Sequence, residues 1–464
     1  MRFVKFVIAT AYMAAHDNTA LIPELWAQEA LMQLENNMVM GNLVHRDFSP
    51  LIAKFGDTVN AHRPQERKPT RKAASGDPIV SGDASTDNVP VVLNQHIYDS
   101  FIIKDGEESM SFKDLVTLHL TPSAQGLAQF IDQLLTGQVY RLIGNANAGK
   151  LGTDPDKVTM TKIRQSANDL RWPTEGRNFV MPASMEQALL NTDLFVSAEK
   201  VGDQGTALRE GSLGRKFGIN TFMDQNAPSI ATGNTVVAGA VNLSGGYAKG
   251  ATVLVVNGFT GELVPGSWCT IAGDMTPQRI TAQTATSGNT TGITISPGLQ
   301  HAVAHQAVVT VYTPAAVNLT AGYSAGYGAD LVIDGTAVSP RIGQLLSLGT
   351  VNYASLASKI SPALTSVMLD RPLVANAAND AVVGLGPAGN YGMAFHRNSI
   401  GFINRPLAMP QAGAGAMSFV ANYNGLSMRA VITYDGVAQG HRVTLDMLAG
   451  VAILDSRLAF PVYG

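Results

Sequence analysis

Three short stretches carry residue types that could do chemistry. Gly322-Tyr323-Ser324-Ala325-Gly326 has the G-x-S-x-G spacing of a nucleophile elbow. Such an elbow lifts a serine on a strand-to-helix turn, with an acid and a histidine following in the chain. Gly144-Asn145-Ala146-Asn147-Ala148-Gly149-Lys150 approaches a P-loop, whose backbone amides cradle phosphate and whose closing Ser or Thr binds magnesium. His301 and His305 stand four apart, a spacing that on a helix could hold a metal.

None of the three is complete. Leu151 stands where the P-loop needs its hydroxyl, and the segment follows a helical pattern instead of a strand. The two histidines lie in an extended-looking run with no carboxylate or third histidine at ligand spacing, so they read as ordinary half-exposed side chains. The serine is answered by the chain itself. Ala240-Val241-Asn242-Leu243-Ser244-Gly245-Gly246-Tyr247 returns as Ala316-Val317-Asn318-Leu319-Thr320-Ala321-Gly322-Tyr323, and through Gly250 and Gly326 the copies agree at seven of eleven positions. The first copy has Ala248 where the second has Ser324, so the Gly-Tyr framework reads as a shared turn. No catalytic set, metal cluster or cofactor motif survives, and an enzyme is disfavoured. The sequons at Asn242, Asn289 and Asn318 matter only in a eukaryotic secretory protein.

The repeat continues. Leu254-Val255-Val256-Asn257-Gly258 faces Leu331-Val332-Ile333-Asp334-Gly335, and Ala307-Val308-Val309 faces Ala381-Val382-Val383. A region of about 235–385, rich in Thr, Val and Gly, therefore reads as duplicated small β modules. The second copy holds a more helical-looking stretch near 341–360.

Around it the chain reads differently. Residues 21–40 predict a helix with Pro23 at its start and Leu25, Trp26, Leu31 and Leu34 near one face. Segments 55–62 and 89–103 predict the two flanks of a long strand arm. Leu127, Phe130, Ile131, Leu134, Leu135, Val139 and Leu142 follow helical spacing behind Thr121 as N-cap and Pro122. Residues 182–191 predict another helix, 205–222 short strands and turns, and the region after 390 strands again. Met428, Ala430, Ile432 and Tyr434 share one strand face.

Of the 464 residues 45% are apolar, enough for a sizeable core, but only 14% are charged and 46 are glycine. Such a chain fits either a subunit covered by neighbours or a turn-rich extracellular β protein. The net charge of −3 gives no global basic field for nucleic acid. Cys269 is the single cysteine and has no internal partner for a disulfide. No apolar window is long enough to span a membrane. Arg2 and Lys5 before an apolar run imitate a short signal peptide, with an ordered N-terminal arm as the preferred reading and Met13 as an alternative start.

Charge is segregated on the strand arm. Between His62 and Lys72 lie five fixed cations, Arg63, Arg67, Lys68, Arg71 and Lys72, and one acid, Glu66. One reading is a solvated loop. The sharper one is a cationic tip that docks on an acidic patch of another copy.

The order of these parts resembles the major capsid (coat) proteins of tailed double-stranded DNA bacteriophages, which share the Hong Kong 97-like fold. Val89-Pro90-Val91-Val92-Leu93-Asn94-Gln95 looks like the return strand of the family's extended loop, and the helix through 121–143 looks like its spine helix. Arg177-Asn178-Phe179-Val180-Met181-Pro182 and Gly211-Ser212-Leu213-Gly214-Arg215-Lys216-Phe217-Gly218-Ile219 are similar to the lead into the capsomer-centre domain. Met393-Ala394-Phe395-His396-Arg397, Arg405-Pro406-Leu407, Gly425-Leu426-Ser427-Met428-Arg429, Tyr434-Asp435 and the run from Arg442 to Gly450 match a coat-protein pattern. Pro265-Gly266-Ser267-Trp268-Cys269-Thr270-Ile271-Ala272-Gly273, then Ile293-Thr294-Ile295-Ser296-Pro297, looks like the β-insertion domain of gene-5-type coat proteins.

The resemblance implies an α+β fold: N-terminal arm and helix (1–50), extended hairpin loop (51–106), and spine helix with peripheral domain (107–170). The first part of the axial domain (171–234), an inserted β-rich module that is apparently duplicated (235–388) and the returning strands (389–464) follow. It implies self-assembly into hexamers and pentamers of an icosahedral virion shell enclosing double-stranded DNA without sequence-specific binding. A separate scaffolding protein, a portal and an optional decoration protein would be its partners, with assembly in the host bacterial cytoplasm and no membrane or cofactor. Arg63, Arg67, Lys68, Arg71 and Lys72 are the expected inter-subunit contacts. An encapsulin-type compartment shell and an extracellular adhesin are the alternatives.

Overall fold

The structure is a computed structural model that describes residues 22–46, 54–64, 71, 86–104, 116–196, 211, 213–230, 236–312, 317–334, 343–349, 351–360, 365–410 and 416–464. Helix α1 (Ile22–Asn37) and a single turn, α2 (Met40–Leu43), open it. Strands β1 (Thr58–Pro64) and β2 (Thr86–Val92) pair antiparallel as a two-stranded arm, from Thr58 against Val92 to Pro64 against Thr86. The expected return flank, 89–103, is two strands. It breaks at Leu93-Asn94, and β3 (Gln95–Lys104) leaves the arm to join the body. The alternation continues across the break because both strands bury one face.

Helix α3 (Thr121–Thr136) buries the expected stripe, with Leu127, Ile131, Leu134 and Leu135 buried, and passes into a tighter 3-10 turn over Gly137–Leu142. Thr121 is not its N-cap. A π turn, Val116–Leu120, runs straight into the helix, so Leu120 already has helical angles and no side-chain cap is made. Then come α4 (Lys157–Asp169), β4 (Arg177–Met181), α5 (Ala183–Leu190) and β5 (Ile219–Met223). Asp156 caps α4, accepting from the Thr159 amide at 2.9 Å, in a capping box.

Six strands then close a small barrel: β6 (Val236–Val241), β7 (Val253–Asn257), β8 (Trp268–Ile271), β9 (Gln278–Thr286), β10 (Asn289–Ser296) and β11 (Val308–Tyr312). Their order is β7-β10-β9-β8-β11-β6. The next five are β12 (Leu331–Ile333), β13 (Leu345–Leu348), β14 (Val351–Ile360), β15 (Thr365–Leu369) and β16 (Val383–Leu385). They pair as β12-β15-β14-β13-β16, the same order without the first strand. In its place, isolated bridges from Asn318 to Val382 and from Leu319 to Ile333 join the two edges.

The two sets match in detail. Tyr247 bridges Val303 and Tyr323 bridges Ala377. The Tyr247 hydroxyl accepts from the Val255 amide at 2.7 Å, and the Tyr323 hydroxyl from the Val332 amide at 2.9 Å. One offset differs from the sequence alignment. Ala240 pairs with Val308 seven residues before Tyr247, whereas Asn318 pairs with Val382 five residues before Tyr323. The matching Ala-Val-Asn-Leu strings are therefore displaced by two residues in space. A two-residue slip keeps every side chain on its own face, and both Val241 and Leu319 remain buried.

The expected helical character at 341–360 is wrong. β13 and β14 are strands buried on both faces: Leu346, Leu348 and Tyr353 face the core of the five-stranded sheet, while Leu345 and Ala354 join the core around α3. A strand buried on both sides reads as a continuous apolar run, which periodicity cannot separate from a helix.

The chain returns through β17 (Gly389–His396), β18 (Ile400–Arg405), β19 (Ala416–Tyr423), β20 (Leu426–Asp435), β21 (Gly440–Ile453) and β22 (Ala459–Tyr463). β17 lies between β22 and β4, and β5 runs parallel to β4. This sheet separates two cores. Met393, Phe395 and Tyr463 face the core of α1 and α3, while Ala394, Phe179, Phe460 and Val462 face that of α4 and α5. In the second body sheet the long β21 pairs with β18 and β20, and with β3 over ten residues.

Candidate assembly surfaces

Among the described residues the arm packs on the body through its lower half. Ala61, Val91 and Leu93 pack on Ile403 and Leu448 of the body. Thr58, Asn60, His62, Asn88 and Val92 are exposed. Of the expected contact residues, Arg63 lies on β1 in register with Asp87 of β2, and Arg71 is exposed. Arg67, Lys68 and Lys72 lie outside the described residues.

Where the arm meets the body, Asp446 of β21 is 3% exposed and receives the Arg429 guanidinium on both carboxylate oxygens. The His96 ring of β3 approaches it at 3.6 Å. This buried acid ties β3, and through it the arm, to β20 and β21. Antiparallel register sets it directly opposite Arg429.

Three further buried acids act as joints, and the sequence reading missed all of them. Asp132 interrupts the buried stripe of α3 and accepts the amides of Val39 at 2.8 Å and Gly41 at 3.0 Å, capping α2. Burial, then the nearby Asp224 carboxylate, pushes the Asp132 carboxyl up to about 7. Burial also raises Asp224, one of whose oxygens takes the Asn226 amide at 2.8 Å while the other is buried without a hydrogen bond. The Thr136 hydroxyl bonds the Asn226 carbonyl at 3.2 Å and holds this loop on α3.

Asp370, 3% exposed, fastens the five-stranded sheet to the body. It accepts from the Tyr140 hydroxyl at 2.8 Å and the Ala354 amide at 2.9 Å, with Arg141 at 3.5 Å, and its carbonyl accepts from Gln95 of β3 at 2.8 Å. Asp274 organises the first barrel from within. It is fully buried and accepts from Thr276, Gln278, the amides of Gln300 and His301 and the His301 ring at 2.9 Å. Asn147 reaches Thr276 at 2.9 Å, bridging barrel and body. His301 is thus the partner of a buried acid. The residue pattern carried one signal, and for two of the buried acids: Ile131-Asp132 and Leu445-Asp446 are lone carboxylates inside apolar runs.

The suspected motifs take structural places. Gly149 sits beside the C-terminal strand, where an added Cβ would fall 2.0 Å from the Tyr463 carbonyl oxygen. Ser324 lies in the turn between Tyr323 and Gly326, and the Gly326 amide bonds the Leu373 carbonyl at 2.7 Å just as Gly250 bonds Leu299 at 2.7 Å. The Cys269 thiol is fully buried, and burial, then Asp274, pushes it up to about 12. Among the described residues no group of three or more His, Cys, Asp or Glu converges on a metal position. No described helix is long and apolar enough to cross a membrane.

No protein-family model matches this chain, and no curated protein does. Solved structures similar to it include the capsid structure of the cyanophage P-SCSP1u, at 11% identity and TM-score 0.41, covering 92% of this chain and 88% of that one. The mature capsid of bacteriophage PhiM1 matches at 8% identity and TM-score 0.38, covering 92% and 86%. The capsid structure of Staphylococcus phage Andhra matches at 7% identity and TM-score 0.37, covering 91% and 82%.

Proposed function

We propose that this chain is the major coat protein of a tailed double-stranded DNA phage, built on the Hong Kong 97-like fold. It assembles through hexamers and pentamers into the shell that encloses the genome. The observation that carries the reading is the arm. Among the described residues β1 and β2 pair with each other alone, and His62 and Asn88 on them are exposed. A lone two-stranded ribbon is marginal in water, so this arm finds its partner surface on a neighbour. The order of arm, long helix and returning strands supports the same reading, as does the low charge of a surface covered by other copies.

In this reading the two strand sets between 236 and 385 are tandem copies of one inserted unit. The second is fastened to the body through buried Asp370 and the first through Asn147 on Thr276. The cations Arg63, Arg67, Lys68, Arg71 and Lys72 make inter-subunit ion pairs. A separate scaffolding protein and a portal complete the assembly, which takes place in the host bacterial cytoplasm.

Negative-stain microscopy of the purified protein tests the proposal. Uniform icosahedral particles are expected from the wild type, and a mixture of monomer and aggregate from Arg67→Glu with Lys68→Glu. A wild-type chain that stays monomeric at high concentration sinks the reading.

A further inference from the structure

A groove of about 780 Å³ opens between β3, α3 and the loop at 326–330 of the five-stranded sheet. That volume suits a small molecule. The lining is rich in acceptors and holds no lysine or arginine. Its two carboxylates, Asp99 of β3 and Asp330 just before β12, are half-buried, and neither has an ion pair among the described residues. Asp330 takes only a long 3.5 Å bond from the Ser366 hydroxyl. The amide nitrogen of Gln95 is engaged by the Asp370 carbonyl, so its oxygen is the group left to accept. The Ser123 hydroxyl, on a residue 5% exposed, lines the groove without a hydrogen-bond partner. An unpaired buried hydroxyl at a pocket wall marks a place for a ligand group or its water. Tyr98 and Tyr327 expose their rings along the groove. Tyr327 is braced: its ring lies 4.8 Å from that of Tyr323, and its hydroxyl donates to the Asp330 carbonyl at 3.4 Å.

We propose that this groove binds a linear polyamine, a chain of methylenes between protonated amines. The proposal goes beyond the shell reading and does not depend on it. Chemistry selects the class. Two unpaired carboxylates on two separate elements call for two positive groups, and tyrosine faces attract ammonium ions as well. A neutral sugar would cover both carboxylates and leave them uncompensated, which is costly. A compact divalent ion needs several oxygen ligands around one point, and among the described residues no group of three or more His, Cys, Asp or Glu converges in that way. A polyamine satisfies both characters of the lining: ammonium groups meet the acids, and methylenes lie on the apolar surface of Leu127, Phe130 and Met368. The Ser123 hydroxyl can accept from an ammonium or from the water that hydrates it. A ligand held this way ties β3, α3 and the 326–330 loop together, so it stabilises the fold by mass action.

Calorimetric titration of the full-length, unassembled chain with spermidine, near neutral pH and at low salt, tests this. One saturable site per chain is expected, and the urea midpoint should climb with spermidine concentration. Asp99→Asn and Asp330→Asn keep the side-chain shape, and each should weaken binding about tenfold. Together they should abolish the midpoint shift. Tyr327→Leu should weaken binding about threefold. Asp169→Asn removes an equal charge from an exposed helix end outside the groove and should leave binding unchanged. A loss in Asp169→Asn as large as in Asp330→Asn would mean diffuse attraction to surface charge and would overturn the site. Magnesium chloride that shifts the midpoint as far as spermidine at the same concentration would overturn the ligand class. A wild type with no saturable site sinks the proposal outright. Each of these failures leaves the shell reading standing, because the titration reads single chains and the shell is read by microscopy.

Discussion

The Tyr140 hydroxyl donates a 2.8 Å hydrogen bond to the buried carboxylate of Asp370, joining the end of the long body helix to the five-stranded sheet. The same carboxylate takes the Ala354 amide, and Arg141 lies 3.5 Å away. Removing the acid strands a hydroxyl, an amide and a guanidinium together. Asp370→Ala should destabilise the subunit by about 3–5 kcal/mol, and Tyr140→Phe by about 1–2 kcal/mol. Denaturant midpoints of the unassembled subunit check both. Equal, small losses would remove Asp370 from its place as the rivet.

Asp132 predicts how stability depends on pH. Its carboxyl titrates near 7 in the fold and near about 3.9 unfolded. The folded chain therefore binds the extra proton between those values. This contribution is fully present at low pH and is lost as pH rises through 7, and burial of Asp224 acts in the same direction. The wild type should lose on the order of 2–4 kcal/mol between pH 4 and 8 from this site. The charged groups of the neighbouring N-terminal segment, Glu35 and Arg46, pair with each other at 3.5 Å. Asp132→Asn keeps an oxygen for the Val39 and Gly41 amides and should flatten the profile. A profile of unchanged slope in that variant would contradict the assignment.

Two glycines give a paired control. Gly149 has φ +72 and no room for a Cβ beside Tyr463, whereas Gly152 has φ +71 and open space. Gly152→Ala should cost about 1 kcal/mol, the left-handed penalty alone. Gly149→Ala must also push the C-terminal strand aside and should cost at least about 3 kcal/mol. Thermal unfolding of the two variants separates the terms.

Ser324→Ala should leave particle yield and stability unchanged, since the serine sits in a turn that the first barrel builds with alanine. Tyr247→Phe and Tyr323→Phe should each cost about 0.5–1.5 kcal/mol, because each leaves a strand amide without its hydroxyl acceptor. A loss in Ser324→Ala larger than in Tyr323→Phe would reopen a special role for the serine.

Much of this was legible in the residues. The first half of the stripe, through Leu127 and Ile131, is a helical face because one side of the helix meets a core and Gln125, Gly126 and Gln129 meet water, whereas Leu134 to Tyr140 are buried all round. The alternation in 428–432 is a strand face for the same reason. The stretch 345–356 misled because both faces of its strands are buried and the period vanishes. The break at Leu93-Asn94 was silent, since a chain may change partners without changing its alternation. The buried acids were hardest to see. Whether Asp132 or Asp370 meets water depends on residues about 90 and 230 positions away, which an apolar neighbour in the chain does not name.

In the proposed tandem-copy reading, the two-residue difference between the barrel and the five-stranded sheet bears on how repeated strand modules diverge. Insertions and deletions in the lead-in to a barrel strand are filtered by parity. A loss of one residue would turn Val241 or its counterpart outward and expose the core, whereas a loss of two is invisible to it. Tandem barrels of this kind can therefore drift in length by even steps and still keep their strand order, so an alignment of such repeats should be scored on facing before identity.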